Sequence, residues 1–154
     1  MTKLIHREGD IFTTEARGIG HGVNLMGQMG AGIAAQFSAR LPAMYEEYKD
    51  ICARGALAPG DVHVWDFPVE AGQPSRHIFN ISSQVAPGAN AHYSLILKGV
   101  GRALRRADAL GIGTLALPRI GGKIGGLEDT KVEGILHALA ELYETDIELW
   151  TYPG

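Results

Sequence analysis

"VNLMGQMGAGIAAQF", residues 23–37, closes an apolar run, passes through Gly27, Gly30 and Gly32, and continues in apolar residues at helical spacing. Glycine gives up more backbone freedom on folding than any other residue, so such a cluster marks a sharp turn or a close approach to the main chain. A strand that feeds a helix through such a loop is the grammar of an α/β protein.

The rest of the chain repeats that grammar. "RGIGHGVN" (17–24) supplies the strand before the loop, and "KLIHR" (3–7), "DVHVWDF" (61–67), "HIFNIS" (77–82), "TLALP" (114–118) and "DIELWTY" (146–152) read as further strands. Helical patterns fill "GAGIAAQFSARL" (30–41), "PAMYEEYKDICARG" (42–55), "HYSLILKGVGRALRRADALG" (92–111) and "EDTKVEGILHALAELYE" (128–144). In the third of these, Leu97, Val100, Leu104 and Ala107 make an apolar face with Arg102, Arg105 and Arg106 opposite it. The fourth carries Val132, Ile135, Leu136, Leu139 and Leu142 on one face, and Thr130 three residues before Glu133 predicts a capping box. "PVEAGQPSRH" (68–77) reads as a surface hairpin loop. Strands alternating with helices in this order predict an α/β sandwich with a mixed, largely parallel sheet.

With 154 residues, 45% of them hydrophobic, the chain is long enough to bury a core and is expected to form a single domain, 1–154. A formal charge of -3 argues against a general nucleic-acid-binding patch, so an anionic ligand must be met locally. Cys52 is the only cysteine, which excludes an internal disulfide, and the six histidines lack the paired spacing of a metal site. "MTKLIHREGD" lacks the apolar core of a signal peptide and no apolar run is long enough to span a bilayer, so no membrane partner and a cytoplasmic location are expected.

A second glycine-rich stretch, "PRIGGKIGGLEDTKVEG" (118–134), also runs from a strand into a helix. Neither loop is a Walker A motif, and neither is a G-x-G-x-x-G fingerprint with its ribose-binding acid. Two such loops at the carboxyl ends of strands suit one cleft that holds a diphosphate by backbone N–H groups at helix amino termini. The alternative is that the glycines only permit turns. Glu128 and Asp129 are explained by the dipole of the helix they open. Trp65 and Trp150 fall on strands and carry no assigned function.

Taken together, "EGDIF" (8–12), "HGVNLMGQMGAGIAAQF" (21–37) and "ALPRIGGKIGGL" (116–127) resemble the macrodomain family of ADP-ribose binders. The resemblance covers nearly the whole chain and is nearest to the branch of terminal ADP-ribose protein glycohydrolases and of antitoxins that remove ADP-ribose from DNA. It implies a three-layer α/β/α sandwich and a ligand that is ADP-ribose, free or attached to protein or nucleic acid, with no cofactor.

By that resemblance Asp10 accepts from the adenine amino group beside the backbone of Ile11; as a residue by itself, Asp10 after Gly9 also reads as a turn former. Asn24 approaches the distal ribose, and His21 stands where many relatives have another asparagine. Gly30, Ala31, Gly32 and Ile33 form the first loop. Pro118, Arg119 and Ile120 lead into the second, Gly121, Gly122, Lys123, Ile124, Gly125, Gly126 and Leu127. Tyr152 lies beside the adenine, or is an aromatic at the edge of the core. Lys123 supplies charge to the ligand or is solvated.

The branch's lysine after the fourth strand falls on Ser83, and the aspartate of its second loop on Gly125. Catalysis would then rest on Asn24 and Ser83, with Gln84 as a ribose contact and the substrate's diphosphate as the base. The implied activity is ADP-ribosyl hydrolysis at an acidic protein side chain or a nucleic-acid base. A non-catalytic ADP-ribose reader and an ADP-ribose 1''-phosphate phosphatase use the same cleft and stay open as alternatives.

Overall fold

Residues 3–120 and 126–152 are described by a computed structural model of the chain. In chain order they form β1 (Leu4–Glu8), a 3-10 turn (Ile11–Thr13), β2 (Gly18–Val23), α1 (Gly32–Arg40), α2 (Pro42–Ala53), β3 (Val62–Asp66), β4 (His77–Ser82), α3 (Tyr93–Leu110), β5 (Thr114–Leu117), α4 (Asp129–Ala140) and β6 (Asp146–Thr151). Each apolar run read as a strand is one, and their order across the sheet is β1-β6-β5-β2-β4-β3. All neighbours are parallel except β3 and β4, which are antiparallel and joined by the exposed hairpin loop. A parallel sheet needs helical crossovers, and these cover both faces.

The period of two along the strands sorts side chains into two apolar layers. Phe79, Ile81, Leu115 and Leu117 meet Val100, Leu104 and Leu136 of α3 and α4. Ile19, Ile78 and Ala116 meet Phe37, Met44 and Tyr48 of α1 and α2. The three-layer sandwich follows directly from this division.

Central strand β2 is asymmetric. Gly18, Gly20 and Gly22 face α3, where an added Cβ would come within 2.5 Å of Ile112 Cδ1, 2.8 Å of Leu117 Cδ2 and 2.5 Å of Ser83 Oγ respectively. Its other face carries Ile19, His21 and Val23, all buried.

Three local expectations are corrected. The buried face of α3 is Ile96, Val100, Ala103, Leu104 and Ala107, and Leu97 is half exposed, because the helix rests on the sheet through Gly99, whose Cβ would lie 2.6 Å from Ile81 Cγ2. The capping box does not form: Glu128 is the N-cap, Thr130 already lies inside α4, and Glu133 pairs with His6 and Arg119. Leu142 is exposed because α4 ends at Ala140 and the chain turns toward β6 before reaching it.

Candidate functional site

The carboxyl ends of β2, β5 and β6 open onto one side of the sheet. A recess there is lined by Gly9, Asp10, Ile11, Ile33, Pro118, Trp150 and Tyr152 with Gln36. Asp10 caps the 3-10 turn, its Oδ1 accepting from the Phe12 N–H at 3.0 Å while Oδ2 lies 3.5 Å from Arg40. It is therefore a turn former and a wall of the recess at once. Tyr152 is 64% exposed, which removes the core-edge alternative. Trp150 and Gln36 were not expected here; Trp150 arrives because β6 places it beside Gly9, whose Cβ would lie 3.7 Å from the indole.

Ile33 joins this recess to the first glycine loop. Ala31 is the N-cap of α1 and supplies no side-chain hydrogen bond, so among the described residues the first N–H groups of the helix have no capping acceptor. Gly30, Ala31 and Gly32 are exposed. Gly32 has φ +58, a left-handed conformation that disfavours a side chain. Gly30 is different: it has no such constraint, and a Cβ there would touch nothing within 4 Å. The fold itself does not require glycine at 30.

Asn24 is buried and heavily bonded. Its Oδ1 accepts from Met26 N at 2.9 Å and from the Tyr48 hydroxyl at 3.1 Å, and its Nδ2 donates to Gln28 O at 2.8 Å. The one Tyr48 hydroxyl proton is shared with the Asn24 carbonyl, which at 2.6 Å is its nearer acceptor. Among the described residues the second Nδ2–H of Asn24 has no acceptor, so one further hydrogen bond can be donated from it. Tyr48, from α2, holds that geometry, and its burial pushes the phenol well above its ordinary pKa, keeping it a neutral donor. Nothing in the local sequence around Asn24 announces this partner.

His21 does not join the site. It is fully buried, its ring stacks on Phe37 with centroids 3.8 Å apart, and Nε2–H donates to Asn80 Oδ1 at 2.6 Å. Burial pushes its pKa down to about 4, so it is neutral at physiological pH, and Nδ1 has no hydrogen-bond partner. Its place on the α1 side of β2 makes it part of the core and not a ligand contact.

Ser83 is buried where β4 ends, its Oγ occupying the space over Gly22 next to Ile120. Gln84 turns away: Nε2 donates to Ala86 O at 2.7 Å and Gly88 O at 3.2 Å, bracing the loop that follows β4. Arg119 also points elsewhere, toward Thr151 Oγ1 at 3.1 Å and Glu133 at 3.5 Å. Gly126 abuts that post-β4 loop, its would-be Cβ 3.1 Å from Ala89, and Leu127 packs on the core. Gly121, Gly122, Lys123, Ile124 and Gly125 lie outside the described residues. Among the described residues no group of His, Cys, Asp or Glu is placed to hold a metal ion, and no helix is long and apolar enough to cross a membrane.

The Macro domain family profile matches residues 21–136, from within β2 into α4, and so takes in the first loop, Ser83 and the second loop. The chain belongs to the Macro domain family. As a macrodomain it is 29% identical over 154 residues to a DNA ADP-ribosyl glycohydrolase of Mycobacterium tuberculosis, a match covering 98% of this chain and 43% of that protein. The chain thus spans less than half the length of this curated relative. The solved macrodomain of M. tuberculosis DarG superposes with a TM-score of 0.83 at 29% identity, covering 97% of this chain and 98% of that one. The macrodomain of Thermus aquaticus DarG does so at 0.84 and 27%, covering 98% of each.

Proposed function

We propose that this macrodomain binds ADP-ribose along the carboxyl ends of its central strands and hydrolyses the bond that joins the distal ribose to a modified macromolecule. Adenine sits in the recess of Asp10, Ile11, Pro118 and Tyr152. The diphosphate lies over Gly30–Ile33 at the start of α1, and the distal ribose points toward the free N–H of Asn24 and toward Ser83. The observation that carries this reading is the uncapped, exposed amino terminus of α1, joined to the recess through Ile33 and fronted by a glycine at 30 that the fold does not need. Backbone N–H groups and the helix dipole favour an anion there despite the protein's negative charge.

The relatives named DNA ADP-ribosyl glycohydrolase favour a DNA base over an acidic protein side chain as the group released. In the step proposed, water attacks the anomeric carbon of the distal ribose, the bond to the base breaks, and the base leaves with its electron pair and takes up a proton. No described side chain at the ribose end is an ionised acid or base, since His21 is buried and neutral and Ser83 replaces the lysine expected of the branch. The diphosphate of the substrate then serves as the proton acceptor for the attacking water, and positioning provides much of the rate. The same lack of side-chain acids and bases favours a second reading, a non-catalytic ADP-ribose reader.

Mass-spectrometric time courses of an ADP-ribosylated oligonucleotide and of a glutamate-modified protein separate the two. Release of free ADP-ribose from the oligonucleotide, lost in Gly30→Glu, is the expected result. ADP-ribose binding without release from either substrate would establish the reader, and release of phosphate from ADP-ribose 1''-phosphate would establish a phosphatase. Gly30→Glu is preferred to a change at Gly32, where any side chain also meets the left-handed backbone.

A further inference from the structure

The outward face of α3 gathers four cations, Lys98, Arg102, Arg105 and Arg106, at spacings of four, three and one residues, so that they form one stripe along the helix. All four are exposed. Arg102, Arg105 and Arg106 line an open groove of about 280 Å³ with Asp61 and Val62 of the edge strand side. Asp61 pairs with Arg102, and among the described residues Lys98, Arg105 and Arg106 have no ion-pair partner. In a protein of net charge -3 this is a local inversion of sign.

Helix stability does not account for the stripe. Like charges four residues apart, as in Lys98 with Arg102 and Arg102 with Arg106, repel. The dipole rewards cations only in the last turn, and α3 has no basic residue there. The position is informative. Gly60 N–H donates to Ser82 O at 2.9 Å, one residue before Ser83, and the Lys98 stem lies over Gly60, where a Cβ would come within 2.7 Å of it. The stripe therefore begins beside the carboxyl end of β4, where Lys98 covers Gly60, and continues along α3 in the direction of Asp108, which bonds Thr145 just before β6.

The geometry points to a docking surface for the phosphodiester backbone of DNA: Lys98 and Arg102, and beyond them Arg105 and Arg106, hold successive phosphates of the strand whose modified base presents its ADP-ribose to the cleft. A polyanion fits because the cations repeat along a line, and guanidinium groups match phosphate oxygens two at a time. The sequence by itself predicted no nucleic-acid patch; the net charge concealed this one. The inference rests on the reading of DNA as the modified macromolecule.

The test uses Arg105→Glu/Arg106→Glu, both exposed and outside the ADP-ribose cleft, with Arg105→Ala/Arg106→Ala as the milder pair. Fluorescence anisotropy of a short unmodified fluorescein-labelled oligonucleotide, single-stranded and duplex, is measured across a salt series. In the wild type, log K falls linearly with log salt; losing two phosphate contacts makes the single-strand slope shallower by about 1.4. ADP-ribose affinity by calorimetry stays unchanged, and KM for the ADP-ribosylated oligonucleotide rises about tenfold or more with kcat held within about twofold. Equal oligonucleotide affinity and slope in variant and wild type would overturn the proposal. So would preferential binding of a polyglutamate peptide over DNA, which would point to a protein partner. If the wild type releases no ADP-ribose from DNA while the anisotropy difference holds, the docking surface stands and the hydrolase reading fails.

Discussion

The two faces of β2 solve opposite problems within six residues. Toward α3 the strand presents Gly18, Gly20 and Gly22, and each empty Cβ position is filled by a neighbour's side chain. Toward α1 it presents Ile19, His21 and Val23, with an ionisable ring pressed flat on Phe37. On one face any Cβ would force a neighbouring side chain to shift; the other depends on a bulky polar residue staying neutral. The difference teaches that glycines before a ligand loop need not serve the ligand: those of β2 let Leu117, Ile112 and Ser83 close over the strand, whereas Gly30 touches nothing.

The largest break in that comparison comes from the side-chain face. Phe37→Ala removes the ring that stacks on His21 and lies 4.7 Å from Phe12, and is expected to cost about 3–5 kcal/mol in denaturant unfolding. Next is acid. His21 has a folded-state pKa pushed down to about 4 against an ordinary 6.5, so between those values the unfolded chain binds the proton more readily. Its contribution is complete above pH 6.5, shrinks as pH falls, and is lost below pH 4, a difference of about 3 kcal/mol. Unfolding curves of wild type and His21→Gln across that range should therefore converge toward low pH; parallel curves would show that the ring is not held neutral.

The glycine face gives a smaller effect. Gly20→Ala places a methyl 2.8 Å from Leu117 Cδ2 and 3.3 Å from the Phe79 carbonyl, with an expected loss of about 1–3 kcal/mol, while Gly30→Ala is expected to leave thermal stability unchanged. Equal losses at 20 and 30 would erase the distinction drawn between packing and approach. Of the changes that do cost stability, Tyr48→Phe costs least, about 1 kcal/mol, because it deletes the hydroxyl that donates to Asn24. Its sharper signature is weaker ADP-ribose binding by calorimetry, since the Asn24 turn loses its outer support.

Much of the fold was legible because its signals are local. The strand runs, the glycine loops and the helical stripes each declare themselves within a few residues, and all six strand readings match. Misreadings arose where a neighbour decided the outcome. Leu97 lost its buried place to Ile96 because Gly99 lets Ile81 approach α3, and the Thr130 box lost Glu133 to Arg119 and His6. Asp10, Ile11, Pro118 and Tyr152, drawn from three separate stretches of sequence, line one recess, whereas Gln84 and Arg119 direct their side chains elsewhere.

The sequence alone determined the alternation of strand, glycine loop and helix, because period and turn chemistry are short-range properties of the chain. It also determined the macrodomain resemblance, which resides in contiguous motifs. Only the tertiary structure decided that His21 is sealed against Phe37, that the Tyr48 hydroxyl braces Asn24, and that three arginines of α3 stand over Asp61 near the end of β4. Those outcomes depend on which residues meet across strands and layers, and a side chain's hydrogen-bond partners, burial and charge state are set by such meetings.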